Sequence, residues 1–150
     1  MCGLLVSTDS MIDSNAFQKG LKTLKDRGPD MQRIEVLSSG IMAFERLAIM
    51  GLNEEGMQPF HLKDSAVVCN GELYGYRPLK EELKKDYDFI SDSDCELLLS
   101  LFDRYGTDMF RMLDAEFALV LYDAETGSFI AGRDPIGIRP LFYGYTHNNK

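Results

Sequence analysis

Hydrophobic and polar positions along this chain fall into short blocks whose period changes repeatedly. The run "GLLVS" (3–7) is apolar and too short for a helix, so it predicts a buried strand. The block "SNAFQKGLKTLKD" (14–26) puts Phe17, Leu21 and Leu24 on one helical face, with Ser14 or Asn15 available as the cap. "RGPD" (27–30) stops that helix with a turn. "RIEVLSSGIMAFERLAI" (33–49) then reads as a hairpin, two β-rich runs around Ser-Ser-Gly.

The second half continues in the same manner. "SAVVCNGELY" (65–74) predicts a strand broken at Asn70-Gly71, and "YRPLKEELKKD" (76–86) a helix with Pro78 in its first turn. "DSDCELLLSLFDRYG" (92–106) predicts a helix with an acidic start and a glycine stop, both suited to the helix dipole. "AEFALVLYDAETGSFIAGRD" (115–134) predicts a second hairpin around Ala-Glu-Thr-Gly, and "PLFYGY" (140–145) a final strand. There is no linker, internal repeat or low-complexity tract. Antiparallel hairpins with helices between them point to an α+β fold, not to alternating βαβ units.

Composition narrows the classes of function. A chain of 150 residues, 45% hydrophobic and 27% charged, has the makings of one globular domain with a real core. Its net charge of −8 argues against nucleic acid and anionic membrane as partners, since both need basic patches. No apolar run approaches membrane-spanning length, and the N-terminus lacks the basic start and apolar centre of a signal peptide. The cysteines, Cys2, Cys69 and Cys95, are odd in number and widely spaced. They predict reduced thiols in the cytoplasm and neither a disulfide framework nor a zinc site.

Candidate chemistry begins at Cys2. Met1 precedes a small residue, and such a methionine is usually removed, which would leave Cys2 with both a thiol and a free α-amine. A thiol near pKa 8.5 and an α-amine near 7.7–8.0 are well matched for proton exchange. An N-terminal nucleophile served by its own amine is a known arrangement. The alternative is a small buried hydrophobe. In "CNGEL" (69–73), the Asn70 side-chain amide and the Gly71 backbone N–H supply the two donors a tetrahedral oxyanion needs; the alternative is an ordinary Asn-Gly turn. Arg46, in "FERLAIM" (44–50), offers a planar fork for a carboxylate, and Asp94, in "SDSDCE" (91–96), an acceptor for an ammonium. The plainer readings are a solvated strand residue and a helix first turn. The alternation Asp92, Asp94, Glu96 also hints at a calcium loop, but the glycine and distal glutamate of such a loop are missing.

Six motifs occur in order and at ordinary spacing: "MCG", "RGPD", "ERLAI", "NGELY", "SDCE" and "GRDPIGIRPLFYG". With them the chain, over essentially its whole length, resembles the glutamine amidotransferase (glutaminase) domain of asparagine synthetase, in the N-terminal-nucleophile hydrolase superfamily. The resemblance implies a four-layer αββα sandwich, which this chain would leave incomplete at its C-terminus, formed by one class II amidotransferase domain over 1–150. It implies Cys2 as nucleophile, Asn70 and Gly71 as oxyanion hole, and Arg46 as the grip on the substrate α-carboxylate. The backbone of Leu47, Ile49 and Met50 would line the same pocket, with Glu72 and Asp94 near the substrate amine. "GRDPIGIRP" would be structural, with Arg133 and Asp134 as an internal ion pair.

The implied reaction takes L-glutamine to glutamate and ammonia through a thioester on Cys2, with no metal or cofactor for that step. Ammonia would pass to a synthetase domain or subunit that adenylates aspartate with ATP and magnesium. Nothing in this chain matches that domain, whose "SGG-D" loop is missing. Homodimers are common in the family. The chain departs from the pattern at Asp26, which stands where the family usually has histidine, and at Ala48, Met50 and Gly75, where backbone contacts should tolerate the change. His61 and His147 fall in no motif and read as surface residues. Two other readings compete: an amidotransferase domain feeding a different acceptor, and a non-catalytic relative that binds glutamine without turnover. A retained Met1 would favour the latter, because its amide replaces the free amine of Cys2.

Overall fold

A computed structural model describes residues 1–50 and 52–145. The α+β expectation holds, with two antiparallel sheets. Strands β1 (Gly3–Ser7), β2 (Met31–Leu37) and β3 (Gly40–Arg46) form a three-stranded sheet in the order β1-β3-β2. Strands β4 (Phe60–Leu62), β5 (Ser65–Leu73), β6 (Ala115–Asp123) and β7 (Ser128–Arg133) form a four-stranded sheet in sequence order. Among the described residues three α-helices accompany them: α1 (Ser14–Lys22), α2 (Tyr76–Leu83) and α3 (Leu97–Tyr105).

The period of two along each central strand sorts side chains between opposite faces. In β3, Ile41 and Ala43 meet Phe17 and Leu21 of α1. Met42 and Phe44 point the other way, against Ala66 and Val68 of β5 and Val120 and Tyr122 of β6. Val67 and Cys69 of β5, with Leu119 and Leu121 of β6, occupy the remaining face against Leu83 of α2 and Leu97, Leu98 and Leu101 of α3. Every residue of β3 is buried, because it is central in its sheet and packed on both sides.

Several local expectations change. Asp13 caps α1, its carboxylate accepting from Asn15 N at 2.9 Å, and the helix ends at Lys22 before a separate single turn over 25–27. Phe17 and Leu21 are buried as expected, whereas Leu24 is half-buried beyond the helix. Strand β5 is not broken at Asn70-Gly71; its pairing with β6 runs from Ala66 to Leu73. The glycine serves close approach instead of a turn, since a Cβ there would lie 2.5 Å from Glu116 O. Helix α3 starts at Leu97, not at the acidic residues, because Asp94 and Glu96 use their carboxylates on backbone N–H groups outside the helix. Segment 140–145 pairs with no strand among the described residues, and Phe142 and Tyr143 lie open to solvent. Strand-forming side chains need a neighbouring edge to pack along before their preference is realised.

Candidate functional site

Cys2 stands just before β1, and β1 is held against β3 with Gly3 opposite Glu45. That register puts Cys2 beside the end of β3 and the chain leaving it. The Cys2 thiol lies 3.6 Å from Leu47 O, to which it donates, and accepts from Leu47 N at 3.4 Å. Arg27, from the "RGPD" turn, donates through Nε to Cys2 O at 3.0 Å. The turn can lie this close because Gly28 has no side chain; a Cβ there would sit 2.1 Å from Glu45 O.

Across from Cys2, β5 presents Asn70 on the same face as Ala66 and Val68, toward the three-stranded sheet. Cys2 N donates to Asn70 Oδ1 at 3.1 Å. Because a backbone N–H can only donate, the amide oxygen is fixed toward it and the Asn70 NH₂ is directed away.

Nine residues singled out in the sequence converge on one cavity of about 150 Å³ between the sheets. Cys2, Asn70 and Gly71 line it, as do Arg46, Leu47, Ile49 and Met50. Glu72 and Asp94 complete the set. Their engagements differ. The buried Arg46 donates to Asn53 O at 2.8 Å and Met50 O at 3.1 Å, so its guanidinium also braces the loop after β3. Asp94 accepts from Leu73 N through Oδ2 at 2.6 Å, leaving Oδ1 as its second acceptor. Ile49 and Glu72 are exposed at the rim.

Burial raises the Cys2 thiol above its ordinary pKa; the Leu47 N–H, the N-terminal ammonium and Arg46 pull it back only in part. Cys95 is raised well above its ordinary range, first by its hydrogen bond with Cys69 and then by desolvation, so it stays a thiol.

The loop after β7 differs from expectation. Asp134 does not pair with Arg133. Desolvation would raise its carboxyl, but the N–H groups of Ile138, Arg139, Gly137 and Phe117 outweigh it and hold the pKa at about 2. The contacts run from 2.6 Å at Gly137 N to 3.3 Å at Phe117 N. The ion pair of this region is Arg139 with Glu116.

One comparison decides the family. A model of the glutamine amidotransferase domain matches residues 1–150. The chain belongs to the glutamine amidotransferase domain family. A "Probable asparagine synthetase [glutamine-hydrolyzing]" from Dictyostelium discoideum is 40% identical over 97% of this chain and 27% of its own length. "Asparagine synthetase B [glutamine-hydrolyzing]" from Escherichia coli is 33% identical over 100% of the chain and 28% of its own length. "Amidase chyE" from Penicillium rubens is 38% identical over 85% of the chain and 19% of its own length. The chain thus spans little more than a quarter of the length of the asparagine synthetases it matches.

Two clefts of this amidotransferase domain are larger, about 310 Å³ beside α2 and about 600 Å³ beside α3, but neither contains Cys2, Asn70 or Arg46. Cys2, Asn70, Gly71 and Arg46 meet in the smaller cavity, so that is the candidate site. Gln58, Cys69, Cys95 and Arg139 also line it and were not singled out in the sequence. Gln58 follows no charge or periodicity signal, and the two cysteines read as reduced thiols with no role of their own. Asp26 is exposed in its single turn and does not line the cavity. His61 pairs with Glu35 at 2.7 Å on the surface, and His147 lies outside the described residues. Among the described residues no group of three or more His, Cys, Asp or Glu converges as a metal-ligand set, and no helix is long and apolar enough to cross a membrane.

Proposed function

We propose that this domain hydrolyses L-glutamine to glutamate and ammonia, with Cys2 as nucleophile after removal of Met1. The observation that carries the reading is the Cys2–Asn70 contact at 3.1 Å beside a cavity that also takes in Gly71, Arg46 and Asp94. In the processed chain, the nitrogen that donates to Asn70 Oδ1 becomes the α-amine. Donating one N–H to that oxygen orients the amine and leaves its lone pair for the thiol proton. Arg46 and Asp94 are assigned the α-carboxylate and α-ammonium of glutamine, and the backbone around Leu47, Ile49 and Met50 and the Glu72 rim the rest of its outline.

The steps then follow from the positions. The α-amine takes the Cys2 proton, and sulfur bonds to the side-chain carbonyl carbon. The oxyanion is met by the Asn70 NH₂ and the Gly71 N–H. The amine returns its proton to the leaving nitrogen, the C–N bond breaks, ammonia departs, and a glutamyl thioester remains. Water, deprotonated by the same amine, adds to the thioester, and the S–C bond breaks to release glutamate. No metal or cofactor enters these steps. We assign the two sheets and their flanking helices to the αββα arrangement of N-terminal-nucleophile hydrolases. The ammonia is assigned to amidation of aspartate in an accompanying synthetase domain or subunit, where ATP and magnesium act, on the strength of the asparagine synthetase relatives.

Glutamate release from glutamine tests the reading, with parent protein and Cys2→Ala assayed side by side and intact mass recording whether Met1 is lost. Turnover by the Met1-free parent and none by Cys2→Ala is expected. Equal rates would overturn the assignment.

A further inference from the structure

Strand β5 has two edges of different kinds. One pairs with β6 throughout, whereas β4 covers the other only as far as Phe60 opposite Val67. In an antiparallel strand, N–H and C=O of one residue point to the same side, and the side alternates residue by residue. Cys69 and Leu73 both direct their N–H groups away from β6, so Gly71 does so as well. The partner strand agrees: Phe117, opposite Gly71, exchanges its backbone bonds with Asp134 instead of β5.

On this open edge side chains stand in for a missing strand. The buried Gln58 acts as a peptide group, accepting from Cys69 N through Oε1 at 2.6 Å and donating through Nε2 to Cys69 O at 3.0 Å. Asp94 occupies Leu73 N, and the Cys95 thiol lies 3.9 Å from Gly71 O, to which it donates. The N–H of Gly71 is the donor left over, and it faces the cavity.

We propose that Gln58 is a positioning residue for the oxyanion hole: its paired amide bonds to Cys69 fix the edge of β5 so that the Gly71 N–H is aimed at the reacting carbonyl. The proposal rests on the glutaminase reading above. Gln58 acts through Cys69, so its loss should lower the chemical step and spare both substrate binding and the thiol. Without the clamp, β5 can rotate its peptide planes at 69–71 and the donor loses alignment.

The test uses Gln58→Leu and Gln58→Glu in the full chain with Met1 removed. The measurements are kcat, KM, and the rate of Cys2 alkylation by iodoacetamide, a displacement that forms no oxyanion. For Gln58→Leu the expected result is a 10- to 100-fold lower kcat, up to the loss of one oxyanion donor, with KM and alkylation rate within about twofold, since neither depends on that donor. Gln58→Glu is isosteric, and when protonated it can both donate and accept as glutamine does. Its kcat relative to parent should therefore rise at least fivefold from pH 8 to pH 5.5, a recovery that lost packing would not give. An active parent with unchanged kcat in Gln58→Leu, or a pH-independent ratio in Gln58→Glu, overturns the proposal. An inactive parent overturns the glutaminase reading instead.

Discussion

Cys2 N and Asn70 Oδ1 lie 3.1 Å apart, so one hydrogen bond ties the start of the first strand to the centre of the opposite sheet. In the proposed reaction Asn70 has two duties: its oxygen orients the Cys2 nitrogen, and its NH₂ meets the oxyanion. Asn70→Ala removes both and should lower kcat by about 10²–10³. Steady-state glutamate release measures this. A rise in KM larger than the fall in kcat would place Asn70 in binding instead.

The buried Cys2 thiol carries a raised pKa, with only partial relief from Leu47, the N-terminal ammonium and Arg46. A raised thiol pKa means less thiolate at neutral pH. Alkylation of the Met1-containing chain by iodoacetamide should therefore keep accelerating past pH 9, monitored by intact mass. A plateau below pH 8 would contradict the burial effect.

Asp134 holds its folded pKa at about 2, below the ordinary carboxylate value. The sign is that of a depressed acid: its stabilisation is present above the unfolded value near 3.9 and is lost as pH falls through about 2. Asp134→Asn should melt below the parent at pH 7. The gap should narrow steadily between pH 5 and pH 2, as followed by circular dichroism. A gap that does not change with pH would show that shape, not charge, holds the turn over 134–139.

Gly28→Ala places a Cβ 2.1 Å from Glu45 O, in contact with backbone that cannot swing aside. The expected cost is about 1–3 kcal/mol in stability, read by denaturant unfolding. Cys2 should also lose its Arg27 contact as the turn is pushed away. A wild-type midpoint would show that the turn can yield.

Much of this was legible from pattern. The β2–β3 and β6–β7 hairpins, the α1 face with Phe17 and Leu21, and the α+β class follow from period and turn chemistry, which are local. The convergence of Cys2, Arg46, Asn70 and Asp94 followed from motif order and not from spacing, because 68 residues separate the two partners of the Cys2–Asn70 bond. Asn70-Gly71 looked like a turn because that pair so often is one; pairing with β6 overrode the local preference. The acidic residues before α3 looked like its first turn, but their carboxylates had partners distant in sequence at Leu73, or just upstream at Ile90 and Ser91. The sequence puts Asp134 next to the cation Arg133, but the carboxylate sits in a nest of N–H groups that only the folded turn creates. Gln58 left no trace in the sequence, since its value depends on where β4 stops.

An exposed strand margin ordinarily recruits another chain, and lengthening ladders of that kind end in aggregates. Here amide, thiol and carboxylate fill the successive rungs of β5 beyond Val67. A passing peptide would find the Gly71 N–H without its carbonyl neighbour, which the Cys95 thiol already holds, too little to template a strand. The same edge that offers a donor to a small molecule is thereby closed to polymer growth.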